Sequence, residues 1–227
     1  MNQIPQYLVY KHLFDFMKYR NLKYDGEYLL ASHDSNKSGI LEKERFLTLI
    51  QQFGYFRVDT ISNKTDKYVI LVIIADQNSK YISRVSPFQT FLQTLLTNKK
   101  DKTREIEEII LIVPSIIFSR KNICDVVKLM PEKAPDIYFN MFPYNIFTQI
   151  IPEAKIVSKH EIVPSEDIKK ILDNDYTVID ALPLISCGDA PVVWAGGRPG
   201  DLIKVTRLSE TTGAATVVRL VVKDLRY

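Results

Sequence analysis

Apolar residues recur along the first two thirds of the chain with two different periods. Tyr10, Leu13, Phe14 and Met17 stand at i, i+3, i+4 and i+7, the stripe of a helix predicted from about Gln6 to Arg20. Leu22-Lys23-Tyr24-Asp25-Gly26-Glu27 reads as a turn. Phe46, Leu49, Ile50 and Phe53 repeat the helical spacing. Tyr68 to Ala75 shows no polar alternation, as expected of a strand buried on both faces. Phe88, Phe91, Leu92 and Leu95 mark a helix beginning near Pro87, and Ile109 to Val113 is a second buried strand. Strand, helix, strand predicts a parallel pair with a right-handed crossover. Asn122 is placed to cap a helix through Val126 and Val127, and Ile137 to Phe142 is a further strand. This part is therefore α/β.

The last seventy residues change character. Pro164 removes a backbone donor, and Ser165 is placed to cap a short helix to about Asp173. Gly196, Gly197 and Gly200 surround Pro199, a turn composition. Leu202 to Leu208 and Thr216 to Val222 are β-branched runs joined by Ser209 to Ala215, a hairpin with a longer loop. The pattern predicts a small mixed α+β domain over 159–227, a linker over 151–158 that includes Pro152, and an α/β domain over 1–150.

Five short blocks in this region stand in a fixed order. They are His160-Glu161-Ile162-Val163-Pro164, Leu182-Pro183-Leu184-Ile185, Asp189-Ala190-Pro191-Val192, the turn Trp194-Ala195-Gly196, and Arg207-Leu208-Ser209-Glu210-Thr211-Thr212-Gly213 followed by Arg219-Leu220-Val221. Together they resemble the C-terminal domain of subunit 5 of the eukaryotic multi-subunit RNA polymerases, the subunit called H in archaea. One departure is that Ala190 separates Asp189 from Pro191, where the family has Pro directly after Asp. The opening helix and the aromatic-bearing segment after it are also similar to the start of that family's N-terminal domain.

The resemblance implies a nuclease/resolvase-like jaw fold for the first domain and an accessory, non-catalytic role; the alternatives are a free-standing DNA-binding or nuclease-like protein, or a transcription adaptor that carries a polymerase-docking domain. The C-terminal domain would dock on the largest polymerase subunit near small subunit 6. The docking residues it implies are His160, Pro164, Asp189, Trp194, Arg198, Arg207, Ser209, Glu210, Thr211, Gly213 and Arg219. The jaw would lie along downstream double-stranded DNA and touch phosphates without reading sequence. Pro114-Ser115, which follows the second core strand, matches the family's DNA-facing loop. Magnesium and nucleotide chemistry would belong to the two largest subunits, so no cofactor is expected here. Richness in Ile, Lys, Asn and Tyr, with a divergent first domain, suggests the version carried by a large DNA virus. The expected location is the nucleus if the chain is cellular, and the virion and host cytoplasm if it is viral.

Composition narrows the classes further. The net charge is +3, too small to announce nucleic-acid binding by itself. Residues 158–227 hold 9 Lys/Arg against 10 Asp/Glu, so the excess lies in the first domain. There, Lys99, Lys100 and Lys102 sit in a basic loop that is either a solvated tip or a phosphate contact. No apolar run reaches the roughly 20 residues that span a bilayer, and no secretory leader is expected. Cys124 and Cys187 lie far apart and read as free thiols in a reducing compartment.

Several chemical motifs fail on inspection. Asp34 to Arg45 has oxygen ligands at calcium-loop spacing and Gly39 at the sixth position, but Arg45 occupies the place of the bidentate Glu. A magnesium nuclease needs acids on adjacent strand ends. Asp76 follows the first core strand, but Ile109 to Val113 carries no acid, and Glu105, Glu107 and Glu108 precede it. Gly196-Gly197-Arg198-Pro199-Gly200 lacks the Lys-Ser/Thr ending of a phosphate loop. His160 has no nucleophile motif beside it and is expected to satisfy a backbone group. Arg198, Arg207 and Arg219 either pair with Asp189, Asp201 or Glu210 or anchor an interface, and Trp194 is either core or an interface hot spot.

Overall fold

Seven consecutive apolar residues, Tyr68–Ile74, are all buried, and the first part of the molecule is arranged to cover both faces of that strand. The computed structural model describes residues 5–27, 40–75, 80–82, 84–97, 103–175, 178–209 and 213–223. The chain forms two units, Met1–Gln149 and Ile150–Tyr227.

In the first unit, α1 (Pro5–Tyr19) leads into β1 (Leu22–Glu27), then α2 (Lys43–Phe53), β2 (Tyr55–Ser62), β3 (Tyr68–Ile74), α3 (Val85–Thr97), β4 (Ile106–Val113), α4 (Ser115–Phe118), α5 (Lys121–Lys128), α6 (Met130–Lys133) and β5 (Tyr138–Pro143). The sheet order is β1-β2-β3-β4-β5. β1, β2 and β3 pair antiparallel, while β3, β4 and β5 pair parallel. Ile70, Val72 and Ile74 join Ile109, Leu111 and Val113 under Phe88, Phe91 and Leu92 of α3 and Ile123 and Val126 of α5. Val69, Leu71 and Ile73 alternate with these, so they point to the opposite face. On that opposite side, Tyr10 of α1, Phe46 of α2 and Phe56 of β2 pack ring on ring, with centroids 4.5 to 5.1 Å apart. A sheet covered by helices on both faces accounts for the unbroken apolar strands.

Four readings of this unit change. Leu22–Glu27 is an edge strand rather than a turn, with a bulge between Tyr24 and Gly26. Asp25 and Gly26 disguise its period of two. β2 was not foreseen, because Arg57 and Asp59 interrupt its apolar run yet are buried as a pair. β4 starts at Ile106, so Glu108 lies inside the strand. Asn122 is not a cap, since α5 begins at Lys121 after Arg120 and Asn122 falls within its first turn. The calcium-like segment from Asp34 to Gly39 lies outside the described residues, as do Asp76, Lys99, Lys100 and Lys102.

The second unit opens with a 3-10 turn at Ile151–Glu153, whose Ile151 is buried, within the stretch expected as a linker. β6 (Lys159–Ile162), α7 (Ser165–Asp175), a 3-10 turn (Ile179–Ala181), β7 (Leu184–Ser186), α8 (Ala190–Ala195), β8 (Leu202–Ser209) and β9 (Gly213–Val222) follow. The sheet order is β6-β8-β9-β7, antiparallel except for β7 with β9. Val192 of α8 packs on Ile203, Val205 and Val221 to form the core. α7 begins at Ser165 itself, so Pro164 rather than Ser165 sits at the cap position, and its carbonyl accepts from Asp167 N–H. The hairpin strands run longer than expected, to Ser209 and from Gly213, leaving only residues 210–212 between them.

Candidate functional site

The glycine-rich block after Asp189 builds a helix and its stop rather than an open loop. α8 ends at Gly196, whose φ of 81° is left-handed, where a side chain costs energy. Gly197 N–H then bonds Val192 O at 3.0 Å. A Cβ on Gly197 would stand 2.7 Å from Val192 Cγ1, so this glycine lets the turn close onto the core. Next, the Asp201 carboxylate accepts the Arg198 backbone N–H at 2.7 Å. Asp201 thus serves the main chain of the turn.

Trp194 is fully buried. Its reading as a partner contact gives way to a core role, because it has no surface to offer. His160 points its Nδ1 at Ser158 O, 2.6 Å away, which meets the expectation of a satisfied backbone partner. Pro164 is exposed at the start of α7, and Asp189 is half-buried as the residue before α8.

The hairpin gathers the rest. Ser209 and Gly213 pair across its tip, Arg207 is exposed opposite Ala215, and Arg219 lies opposite Ile203. Arg207 and Arg219 both fall on the same face as Ile203 and Val205, by the two-residue alternation. Arg219 donates from Nη1 to Leu184 O at 3.4 Å. Glu210 and Thr211 lie outside the described residues. The structure therefore brings Arg207, Ser209, Gly213 and Arg219 onto one ribbon, while Asp189, Trp194 and Arg198 belong to α8 and its stop.

The unit also leaves apolar surface open, which the sequence reading did not single out. Ile168, Ile171 and Leu172 form the i, i+3, i+4 stripe of α7, and all three are only half-buried. Val178 is 69% exposed and Leu184 55%. Among the described residues of this unit the buried apolar side chains number nine, a small core for 78 residues. The signal was available in the spacing of Ile168, Ile171 and Leu172.

In the first unit, Pro114 precedes α4 and Ser115 opens it, with the Pro114 carbonyl accepting from Ile117 and Phe118 N–H. Ser115 and its neighbour Ile116 are exposed. The cations that follow are Arg120, half-buried, and Lys121, exposed. Among the described residues two acids are buried within the sheet, and each is held by an arginine. Arg57 Nε reaches Asp59 Oδ1 at 2.6 Å, and Arg20 makes two bonds to Glu108, which also accepts from Asn140 Nδ2 at 2.7 Å. Among the described residues no group of three His, Cys, Asp or Glu converges as metal ligands would.

Comparison with known proteins gives a consistent set of relatives. The family described as RNA polymerase Rpb5, C-terminal domain, matches residues 150–221. The DNA-directed RNA polymerase RPB5 homolog of African swine fever virus, in its Pretoriuskop tick isolate, is 30% identical over 220 residues, covering 95% of this chain and 97% of the relative. The homolog from the Badajoz strain is 33% identical over 181 residues, 80% of this chain and 85% of its own length. DNA-directed RNA polymerase subunit Rpo5 of Methanocaldococcus jannaschii is 40% identical over 70 residues, which is 31% of this chain but 90% of that protein.

Proposed function

The chain belongs to the Rpb5 family of DNA-directed RNA polymerase subunits, and from that premise we propose that it assembles through its second unit onto the largest polymerase subunit, beside small subunit 6. Its domains on this reading are a jaw over 1–150, a linker over 151–158 and an assembly domain over 159–227. The jaw, a nuclease/resolvase-like fold without catalysis of its own, lies along downstream DNA and touches phosphates. Full-length similarity to viral homologs favours a virus-encoded enzyme acting in the virion and host cytoplasm.

One observation carries the assembly role. The archaeal relative named as a polymerase subunit is about the size of the second unit alone, so the shared function travels with a module of that size. The open apolar surface of α7, Val178 and Leu184 and the exposed ribbon at Arg207 and Gly213 suit a unit completed by a partner. The docking residues on this reading are His160, Pro164, Asp189, Arg198, Arg207, Ser209, Glu210, Thr211, Gly213 and Arg219, with the buried Trp194 supporting them from the core of the unit.

The jaw role rests on the exposed Ser115 and Ile116, with Lys121 nearby in the chain, and on the basic loop Lys99, Lys100 and Lys102. Purifying the tagged full-length chain from cells that make it tests the whole reading. The two largest polymerase subunits are expected to come with it in equal amount. A preparation containing the chain and no large subunit would overturn the assignment.

A further inference from the structure

Hydrogen bonds of the β8–β9 hairpin fix the direction of every backbone group in β9. Val221 donates its N–H to Asp201 O at 2.8 Å and accepts from Gly200 N at 2.8 Å, so it faces the β8 side. Arg219, Val217, Ala215 and Gly213 share its direction by strand alternation. Leu220 faces the other way and donates to Pro183 O at 2.9 Å, beside β7. Val218, Thr216 and Ala214 must then point outward with Leu220.

β7 pairs only with Leu220 to Val222. Among the described residues nothing pairs with the outer side of β9 from Gly213 to Arg219. Three successive rungs, at Ala214, Thr216 and Val218, therefore present free N–H and C=O groups. Gly213 to Val217 are all exposed. Proteins usually guard such an edge with Pro, Lys or a bulge. The run Gly213-Ala214-Ala215-Thr216-Val217-Val218 has none of these, and its side chains are small or β-branched.

We infer that this edge receives an extended, acid-bearing segment of another polymerase subunit, added as a strand beside β9 where β7 leaves off. This rests on the reading of the chain as a polymerase subunit and names the chemistry of the contact. Strand addition draws its affinity from main-chain bonds and its selectivity from alternate side chains. Here the alternate side chains are Arg219 and Val217, on one face. The Arg219 guanidinium reaches Leu184 O on β7, so it already lies over the outer edge. Val217 is 42% exposed two residues away. The incoming strand thus carries a carboxylate beside Arg219 and an apolar side chain beside Val217. Arg207, on the same face, extends the positive surface toward the tip.

A second copy of this chain is a poor occupant. Its β9 offers no acid between Gly213 and Val222 to set against Arg219.

Strand parity supplies the test, using the full-length chain. Thr216→Pro deletes an outward donor and leaves the bonds to β8 in place, as proline is tolerated on an edge strand whose N–H faces away from its partner. Val217→Pro deletes an inward donor and is the folding control. Thr216→Pro is expected to keep the wild-type unfolding midpoint while its recovery with the large subunits falls by about tenfold or more, the scale of one lost main-chain bond plus a clash. Thr216→Ala is expected to assemble normally. Independently of any substitution, the amides of Ala214, Thr216 and Val218 are expected to exchange fast in the free chain and slowly in polymerase.

If Thr216→Pro assembles like wild type and those amides stay fast in polymerase, the strand addition is wrong while the subunit assignment stands. If the wild-type chain brings down no polymerase subunit, both fall together. Should Thr216→Pro unfold, the exchange measurement decides alone. A free wild-type dimer that Thr216→Pro makes monomeric gives the edge to a second copy and overturns the proposal.

Discussion

Arg20 and Glu108, 88 residues apart in the chain, form a two-point ion pair inside the first unit, with Nη2–Oε2 at 2.9 Å and Nη1–Oε1 at 3.3 Å. The Glu108 side chain is 1% exposed and Arg20 9%, so neither charge has water to fall back on. The pair ties the end of α1 to the middle of the sheet, and Asn140 of β5 fills a further lone pair of Glu108. Arg20→Ala would leave a buried carboxylate without its cation, and the expected cost is about 3–5 kcal/mol. Replacing both residues by Met restores most of that loss, since the burial penalty of two ions disappears with them. Denaturant unfolding of the single and double variants measures both. A cost below about 1 kcal/mol for Arg20→Ala would show that the carboxylate is not held by this arginine.

Trp194 and Arg219 are expected to fail in different ways. Trp194 is fully buried in a unit whose described apolar core is small, so Trp194→Ala costs about 3–5 kcal/mol and unfolds the second unit before it reaches any partner. Arg219 is partly exposed, and Arg219→Ala changes the unfolding midpoint little. On the docking reading it weakens assembly while the chain stays folded. Circular dichroism with co-purification separates the two outcomes. Loss of assembly only in step with loss of fold, for both variants, would remove Arg219 from the docking surface.

What could be read from the sequence followed from which residues carry their own signal. Tyr68–Ile74 and Ile109–Val113 are uninterrupted apolar runs, and the helices at Tyr10 and Phe88 keep strict spacing, so the core of the first unit was legible. β2 was not, because Arg57 and Asp59 look like surface residues until each is seen to satisfy the other. Glu108 hid for the same reason, since its partner Arg20 lies far away in the chain, just past α1. In the second unit the block order of Arg207 to Gly213 and Arg219 pointed to the ribbon. Whether Trp194 faced a partner or the core depended on α8, a helix of six residues too short to show a period. The open edge of β9 depends on where β7 stops, which no local pattern encodes.

Cys124 is expected to be protected by the fold. It is buried in α5, its Sγ donates to Phe118 O at 3.2 Å, and burial pushes the thiol above its ordinary range. The folded state therefore holds this proton more tightly than the unfolded chain. Its contribution to stability is full below the free-thiol range and declines as pH rises into and beyond it. Alkylation of Cys124 by iodoacetamide should follow the rate of unfolding and rise sharply in urea. Rapid labelling in buffer at neutral pH would contradict the burial.

On the jaw reading, the first unit touches downstream DNA through phosphates, so its contribution depends on salt rather than on sequence. Each cation that neutralises a phosphate adds about 0.9 to the slope of log affinity against log salt. Replacing Arg120 and Lys121 by Ala in the assembled polymerase is expected to lower that slope by up to about two, without altering preference among downstream sequences. The same replacement at Lys99, Lys100 and Lys102 tests the basic loop separately. Half-lives of stalled polymerase on duplex templates, measured over a salt series with two unrelated downstream sequences, report both quantities. Arg120 is half-buried, so Lys121 should carry more of the change than its neighbour. An unchanged slope for all five substitutions would remove both basic segments from the DNA path. A slope that fell on one template only would mean base readout, which a phosphate contact cannot supply.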